Sequence, residues 1–107
     1  MDNAQALQRT LQALGLCAKA RRLIAGTEMV CEALRGKQKP YLVLCASDNA
    51  PNTDKKLSDK CSYYGVKRVS LSADGAALAA AIGKQHHVAA VAVTDENLCR
   101  LVENTLE

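Results

Sequence analysis

The chain has no phenylalanine, no tryptophan and only three tyrosines, Tyr41, Tyr63 and Tyr64. The patterns around them place these three in a strand and a helix, so recognition of single-stranded RNA by stacked aromatic platforms finds little support. No stretch approaches the roughly 20 apolar residues that a membrane helix needs, and no membrane partner is expected. The start, Met1-Asp-Asn-Ala-Gln5, lacks a basic cap followed by a long apolar run. A secretory signal is therefore not expected, and the expected location is cytoplasmic.

Catalytic and metal-binding motifs are equally scarce. The five cysteines, Cys17, Cys31, Cys45, Cys61 and Cys99, include no Cys-x-x-Cys pair. They read as small buried side chains in a reducing compartment rather than a zinc or redox centre. Glycine-rich nucleotide loops and His-Glu-x-x-His are absent, so mononucleotide and zinc-hydrolase chemistry has no motif behind it. His86 and His87 are adjacent and point different ways, which makes them a poor metal pair and suits a surface turn. Asp48 and Asp54 fall where helix caps and turns place aspartates. The expectation is a protein that is not an enzyme, with no metal and no cofactor.

What the chain does have is an ordinary globular composition, 49% apolar and 23% charged over 107 residues, which fits one domain. Its net charge of +3 is unevenly spread. Residues 15–40 hold Lys19, Arg21, Arg22, Arg35, Lys37 and Lys39 against Glu28 and Glu32, whereas residues 88–107 hold Arg100 against Asp95, Glu96, Glu103 and Glu107. A basic region of that size can steer a polyanion such as RNA.

Helical and strand patterns alternate along the chain. Ala4, Leu7, Leu11 and Leu14 form a helical stripe, with Gly15 expected to end or kink it. Leu23-Ile-Ala25 reads as a short strand. Tyr41–Ala46 and Val88–Val93 are apolar throughout, as strands covered on both faces should be, and the first is the expected central strand. Pro51 fits a first helical turn, capped by Asn49, Asn52 or Thr53, and that helix ends at Gly65. Val66–Leu71 is a second strand. Ser72 or Asp74 caps an alanine-rich helix over 76–82, closed by Gly83, and Thr94 or Asp95 opens a last helix with Leu98, Leu101, Val102 and Leu106. The alternation argues for an α/β fold with a sheet covered on both sides.

The segment Arg22–Gly36 organises the rest. An apolar run breaks at Gly26-Thr27, and a helix follows with Met29, Val30, Ala33 and Leu34 at helical spacing, stopping at Gly36, where a left-handed cap would fit. Gly26 permits a sharp turn and Thr27 can cap the helix, whose first amides suit an anion. Lys19, Arg21 and Arg22 lie upstream in sequence and Arg35, Lys37 and Lys39 downstream, so the expected anion is a nucleic-acid phosphate.

Three stretches carry a family resemblance: Leu14-Gly-Leu-Cys-Ala-Lys-Ala-Arg-Arg-Leu-Ile-Ala-Gly-Thr-Glu28, Leu42-Val-Leu-Cys-Ala-Ser-Asp48 and Asn52-Thr-Asp-Lys-Lys-Leu-Ser-Asp-Lys-Cys-Ser-Tyr-Tyr-Gly-Val66. Leu78 to Gly83 and Val91-Ala-Val-Thr-Asp95 add to it. Over nearly its whole length the chain resembles the bacterial YlxQ-type proteins of the L7Ae/L30e superfamily of kink-turn RNA-binding ribosomal proteins. The resemblance implies a three-layer α/β/α sandwich with a four-stranded mixed sheet. It also implies an RNA surface in which Gly26-Thr-Glu-Met-Val-Cys-Glu32 enters the groove beside tandem sheared G·A pairs. A second loop, with Leu71, Ser72, Ala73 and Gly75, would cover flipped-out bases.

The expected partner is structured RNA, ribosomal RNA above all, bound by a monomer that also meets ribosomal proteins or assembly factors. Archaeal binders carry Asn, Glu and Lys where this chain has Glu28, Met29 and Glu32. Each lost charge-assisted contact costs roughly 1.5–3 kcal/mol, which puts a standard kink-turn at a disadvantage. Lys19, Arg21, Arg22, Lys37 and Lys39 remain to supply sequence-independent affinity. The alternative reading is a protein-interaction adaptor on the same fold, with Glu32 and the acidic C-terminal helix meeting a basic partner.

Overall fold

In the computed structural model, which describes residues 3–106, the two strands without a polar face sit side by side at the centre of a four-stranded sheet. Met1 and Asp2, read above for a signal, and Glu107, counted in the acidic tail, lie outside the described residues. The elements run α1 (Asn3–Lys19), β1 (Leu23–Ala25), α2 (Thr27–Arg35), β2 (Leu42–Cys45), α3 (Pro51–Tyr64), β3 (Arg68–Ser70), α4 (Gly75–Ala81), β4 (Ala90–Val93) and α5 (Glu96–Thr105). The sheet order is β1-β4-β2-β3, with β4 antiparallel to both neighbours and β2 parallel to β3.

Strand alternation sorts the core into two layers. Leu42, Leu44, Val91 and Val93 face one way, into a cluster with Leu14, Cys17, Leu78 and Val102 from α1, α4 and α5. Val43, Cys45, Ala90 and Ala92 face the other, against Val30, Cys31 and Leu34 of α2 and Leu57 and Cys61 of α3. This is the three-layer α/β/α sandwich with a mixed sheet. Leu34, Leu44, Leu57 and Leu78 are each wholly buried, and burying a leucine contributes roughly 1.5–3 kcal/mol. All five cysteines are free and buried. Burial pushes the thiols of Cys61 and Cys99 up to about 11, so they pack as neutral side chains.

Several local expectations need correction. Gly15 neither ends nor kinks α1. A Cβ there would lie 2.9 Å from the Ala81 carbonyl oxygen, so the glycine lets the end of α4 approach the continuous helix. Gly36 is extended (φ −72°, ψ 172°), not left-handed. The N-cap of α2 is Gly26 and that of α3 is Ala50, and neither helix has a side-chain cap, so Thr27, Asn49, Asn52 and Thr53 do not serve as one. Asp74 and Asp95 do cap α4 and α5, accepting from the amides of Ala77 and Leu98. Gly65 closes α3 in the left-handed conformation. β2, β3 and β4 are shorter than the stretches expected to form them, Tyr41–Ala46, Val66–Leu71 and Val88–Val93. Among the described residues, no helix is long and apolar enough to cross a membrane.

Candidate nucleic-acid interface

The register fixes which loops meet. Ala25 pairs with Val91, and Ala90 and Ser70 both pair with Cys45, so β1, β2 and β3 end where β4 begins. We call this the upper edge. The opposite, lower edge holds Arg22, Tyr41 and Thr94. There the Thr94 amide donates to the Arg22 carbonyl at 3.0 Å and the Tyr41 amide to the Val93 carbonyl at 2.9 Å.

Gly26 sits on the upper edge at φ 101°, ψ 145°, a region that is essentially glycine's alone. Its amide donates to the Ala90 carbonyl at 2.9 Å, which pins the turn to the sheet. A Cβ at Gly26 would meet nothing within 4 Å, so the space above it is open. The first intrahelical bond runs from the Val30 amide to the Gly26 carbonyl. The amides of Thr27, Glu28 and Met29 precede that bond and carry the positive end of the helix dipole. Met29, expected on the packed face, is 55% exposed, and Cys31 takes its place in the core. The Glu28 carboxylate accepts from Lys56 Nζ of α3 at 3.0 Å, which raises the lysine's pKa.

Three further loops knit themselves together beside this turn. Asp48 Oδ1, between β2 and α3, accepts from the Gly75 amide at 2.9 Å and lies 3.2 Å from His87 Nε2. The Gly75 amide first, and then His87, hold the Asp48 carboxyl below its usual range. A Cβ on Gly75 would run into the His87 ring, so only glycine lets that ring close over the start of α4. Asn49 Nδ2 donates to the Ala89 carbonyl at 2.9 Å, while its buried Oδ1 has no partner among the described residues. Leu71 and Ala73, expected to shield bases, turn into the core at 6% and 4% exposure; Ser72 and Asp74 are the exposed residues of that loop.

The cations are elsewhere. β1 carries the chain from Arg22 on the lower edge to Gly26 on the upper edge, and α2 carries it back down to Arg35. Lys19, Arg21, Arg22, Lys37 and Lys39 therefore gather on the lower edge, away from the helix start they were expected to surround. The upper edge has Gly26, Thr27, Glu28, Ser72 and Gly75 from the expected set. It adds Lys56, Asp48, Asn49 and His87, which sequence reasoning did not single out for binding. Asp48 meets Gly75 and His87 across separations of 27 and 39 residues, and no local motif signals such contacts. Tyr41, expected inside a strand, precedes β2 and is 50% exposed. Among the described residues, no three metal-ligating side chains come together.

Residues 8–102 match the model of the ribosomal protein L7Ae/L30e/S12e/Gadd45 family. The chain is 36% identical over 94 residues to the RNA-binding protein YlxQ of Bacillus subtilis (strain 168), covering 88% of this chain and 91% of that one. It is 31% identical over 100 residues to the RNA-binding protein YlxQ of Enterococcus faecium, covering 94% and 93%. Among solved structures, a Bacillus halodurans protein of unknown function superposes with a TM-score of 0.82 at 35% identity, covering 92% of this chain and 96% of that one. The Giardia lamblia 15.5kD RNA binding protein shares the fold, with a TM-score of 0.80 at 18% identity over 95% and 85% of the two chains. With the family model spanning nearly the whole chain and these relatives aligned along it, the chain belongs to the ribosomal protein L7Ae/L30e/S12e/Gadd45 family.

Proposed function

We propose that the upper edge binds structured RNA, a kink-turn-like internal loop or a segment of ribosomal RNA, and that the protein acts as a cytoplasmic, monomeric, ribosome-associated factor. The observation that carries this reading is the α2 start at Gly26, a helix end with no side-chain cap under open space, beside loops locked by Asp48 and His87. A phosphate fits the Thr27 and Glu28 amides, and the glycine lets the RNA backbone come close. Glu28 accepts from exocyclic base amines, with Lys56 holding its carboxylate. Ser72 and the backbone of residues 71–75 form the second contact, because Leu71 and Ala73 stay in the core. The relatives named as RNA-binding proteins support the same class of ligand.

The direct test compares an RNA stem interrupted by tandem G·A pairs with the same stem uninterrupted, both titrated with the full chain at physiological salt. Tenfold or tighter preference for the interrupted stem is expected, and equal affinity would sink the kink-turn assignment. Crosslinking in cells, followed by sequencing of the attached RNA, should recover ribosomal RNA. Absence of any gel shift at low salt would instead favour the adaptor reading.

A further inference from the structure

The lower edge combines three features that the upper edge lacks. First, its cations are unmatched: among the described residues, Lys19, Arg21, Arg22, Arg35, Lys37 and Lys39 enter no ion pair. Second, all three tyrosines of the chain lie here or on the adjoining end of α3; Tyr64 packs against the α2–α3 core layer, and the other two are exposed. Tyr41 is half exposed, Tyr63 is 82% exposed, and Tyr64 meets Tyr63 edge-on at 4.8 Å while Lys39 Nζ stands 4.8 Å from its ring centre. Arg22 and Tyr41 flank the end of β4, about 10 Å apart at two strand spacings.

The third feature is conformational. Arg21 is the one non-glycine residue with positive φ (60°) among those described. It closes α1 at the position where glycine is usual: its amide donates to the Ala18 carbonyl at 3.0 Å, and the Arg22 amide donates to the Cys17 carbonyl at 2.9 Å. A left-handed arginine is disfavoured, and such outliers concentrate at functional positions. Here the outlier puts an exposed guanidinium beside Arg22.

From these we infer that the lower edge is a second RNA surface, joined to the α2 start only along α3, where Lys56 shares a pocket with Tyr63 and Tyr64, and that it takes single-stranded RNA. Its phosphates meet Arg21, Arg22 and Lys37, and its bases stack on Tyr41 and Tyr63. Unpaired cations interleaved with exposed rings are what a single strand needs, because the cations track the backbone and each ring accepts any base. A folded duplex offers no bare base faces to those rings. The protein thus holds two RNA segments at once, a structured one above and an unpaired one below.

The probe is a fluorescently labelled 12-nucleotide oligouridine, titrated with the full chain at physiological salt. We expect binding that weakens tenfold or more in Arg22→Glu/Lys37→Glu and about fivefold or more in Tyr41→Ala. Because the chain has no tryptophan, quenching of its tyrosine emission reports stacking directly. All three substituted positions are exposed, and a thermal melt verifies each fold. The interrupted stem of the previous section serves as the contrast, and its affinity should fall less than threefold in Tyr41→Ala. Oligouridine binding that survives the double reversal overturns the proposal, as does heparin binding as tight as oligouridine with no dependence on Tyr41. Neither outcome bears on the upper edge, whose own test uses a different RNA.

Discussion

At the upper edge of the sheet the polar side chains are already partnered, Glu28 with Lys56 at 3.0 Å and Asp48 with His87 at 3.2 Å, while at the lower edge a group of cations enters no ion pair among the described residues. The upper edge is preorganised: a glycine hinge, a helix start and loops tied by side-chain hydrogen bonds leave little to rearrange when a ligand arrives. The lower edge is built for attraction, with long flexible side chains and open rings. Shape is specified at one and charge at the other. A folded RNA calls for the first, and an unpaired strand for the second.

The largest way to break this contrast is Gly26→Val. Its backbone angles are strained for any side chain, and we expect destabilisation of about 1–3 kcal/mol, with loss of interrupted-stem binding and oligouridine affinity within twofold of the parent. Equal losses for both RNAs would merge the edges into one site. Gly75→Ala comes next. Its methyl displaces the exposed His87 ring from Asp48 and should cost about 1 kcal/mol, read as a lower melting temperature and weaker binding of the structured RNA alone.

Arg21→Gly sharpens the comparison because stability and binding should move in opposite directions. Relief of the left-handed arginine should add about 1 kcal/mol, or about 4–8 °C in melting temperature, while oligouridine binding falls severalfold. A variant that is more stable and binds as well as the parent would mean that the strain serves no ligand. The smallest expected effect is a pH dependence. The Asp48 carboxyl titrates below its usual range, so the stabilisation it lends is fully present above the unfolded carboxylate value of about 3.9 and is lost as pH falls below it. Protection of the Gly75 amide against hydrogen exchange, taken relative to the intrinsic rate at each pH, should fall there in the parent and stay level with pH in Asp48→Asn.

The architecture was legible wherever burial leaves a two-sided signature. Leu42–Cys45 and Ala90–Val93 carry no polar face because helices cover both sides of the sheet. Asp74, Asp95 and Gly65 announce helix ends by chemistry that local sequence contains. Gly15 misled because its role is a contact with Ala81 sixty-six positions away, which no local signal encodes. The clustering of the cations around the start of α2 was misread for a related reason. Arg22 and Lys37 are near Gly26 in sequence, yet one short strand and one helix carry both to the far side of the sheet. Sequence distance stood in for spatial distance and failed there, although the glycine hinge itself was found.

β1 has only three residues, Leu23–Ala25. From Arg22 to Gly26 the chain therefore climbs about 13 Å at 3.3 Å per residue, somewhat beyond the Debye length of about 8 Å at physiological ionic strength and well within the roughly 30 Å of 0.01 M salt. In dilute buffer a polyanion on either rim would feel the fields of both, whereas in the cell counterions hide each from the other. The brevity of a single strand thus decides at what ionic strength this molecule has one electrostatic face or two.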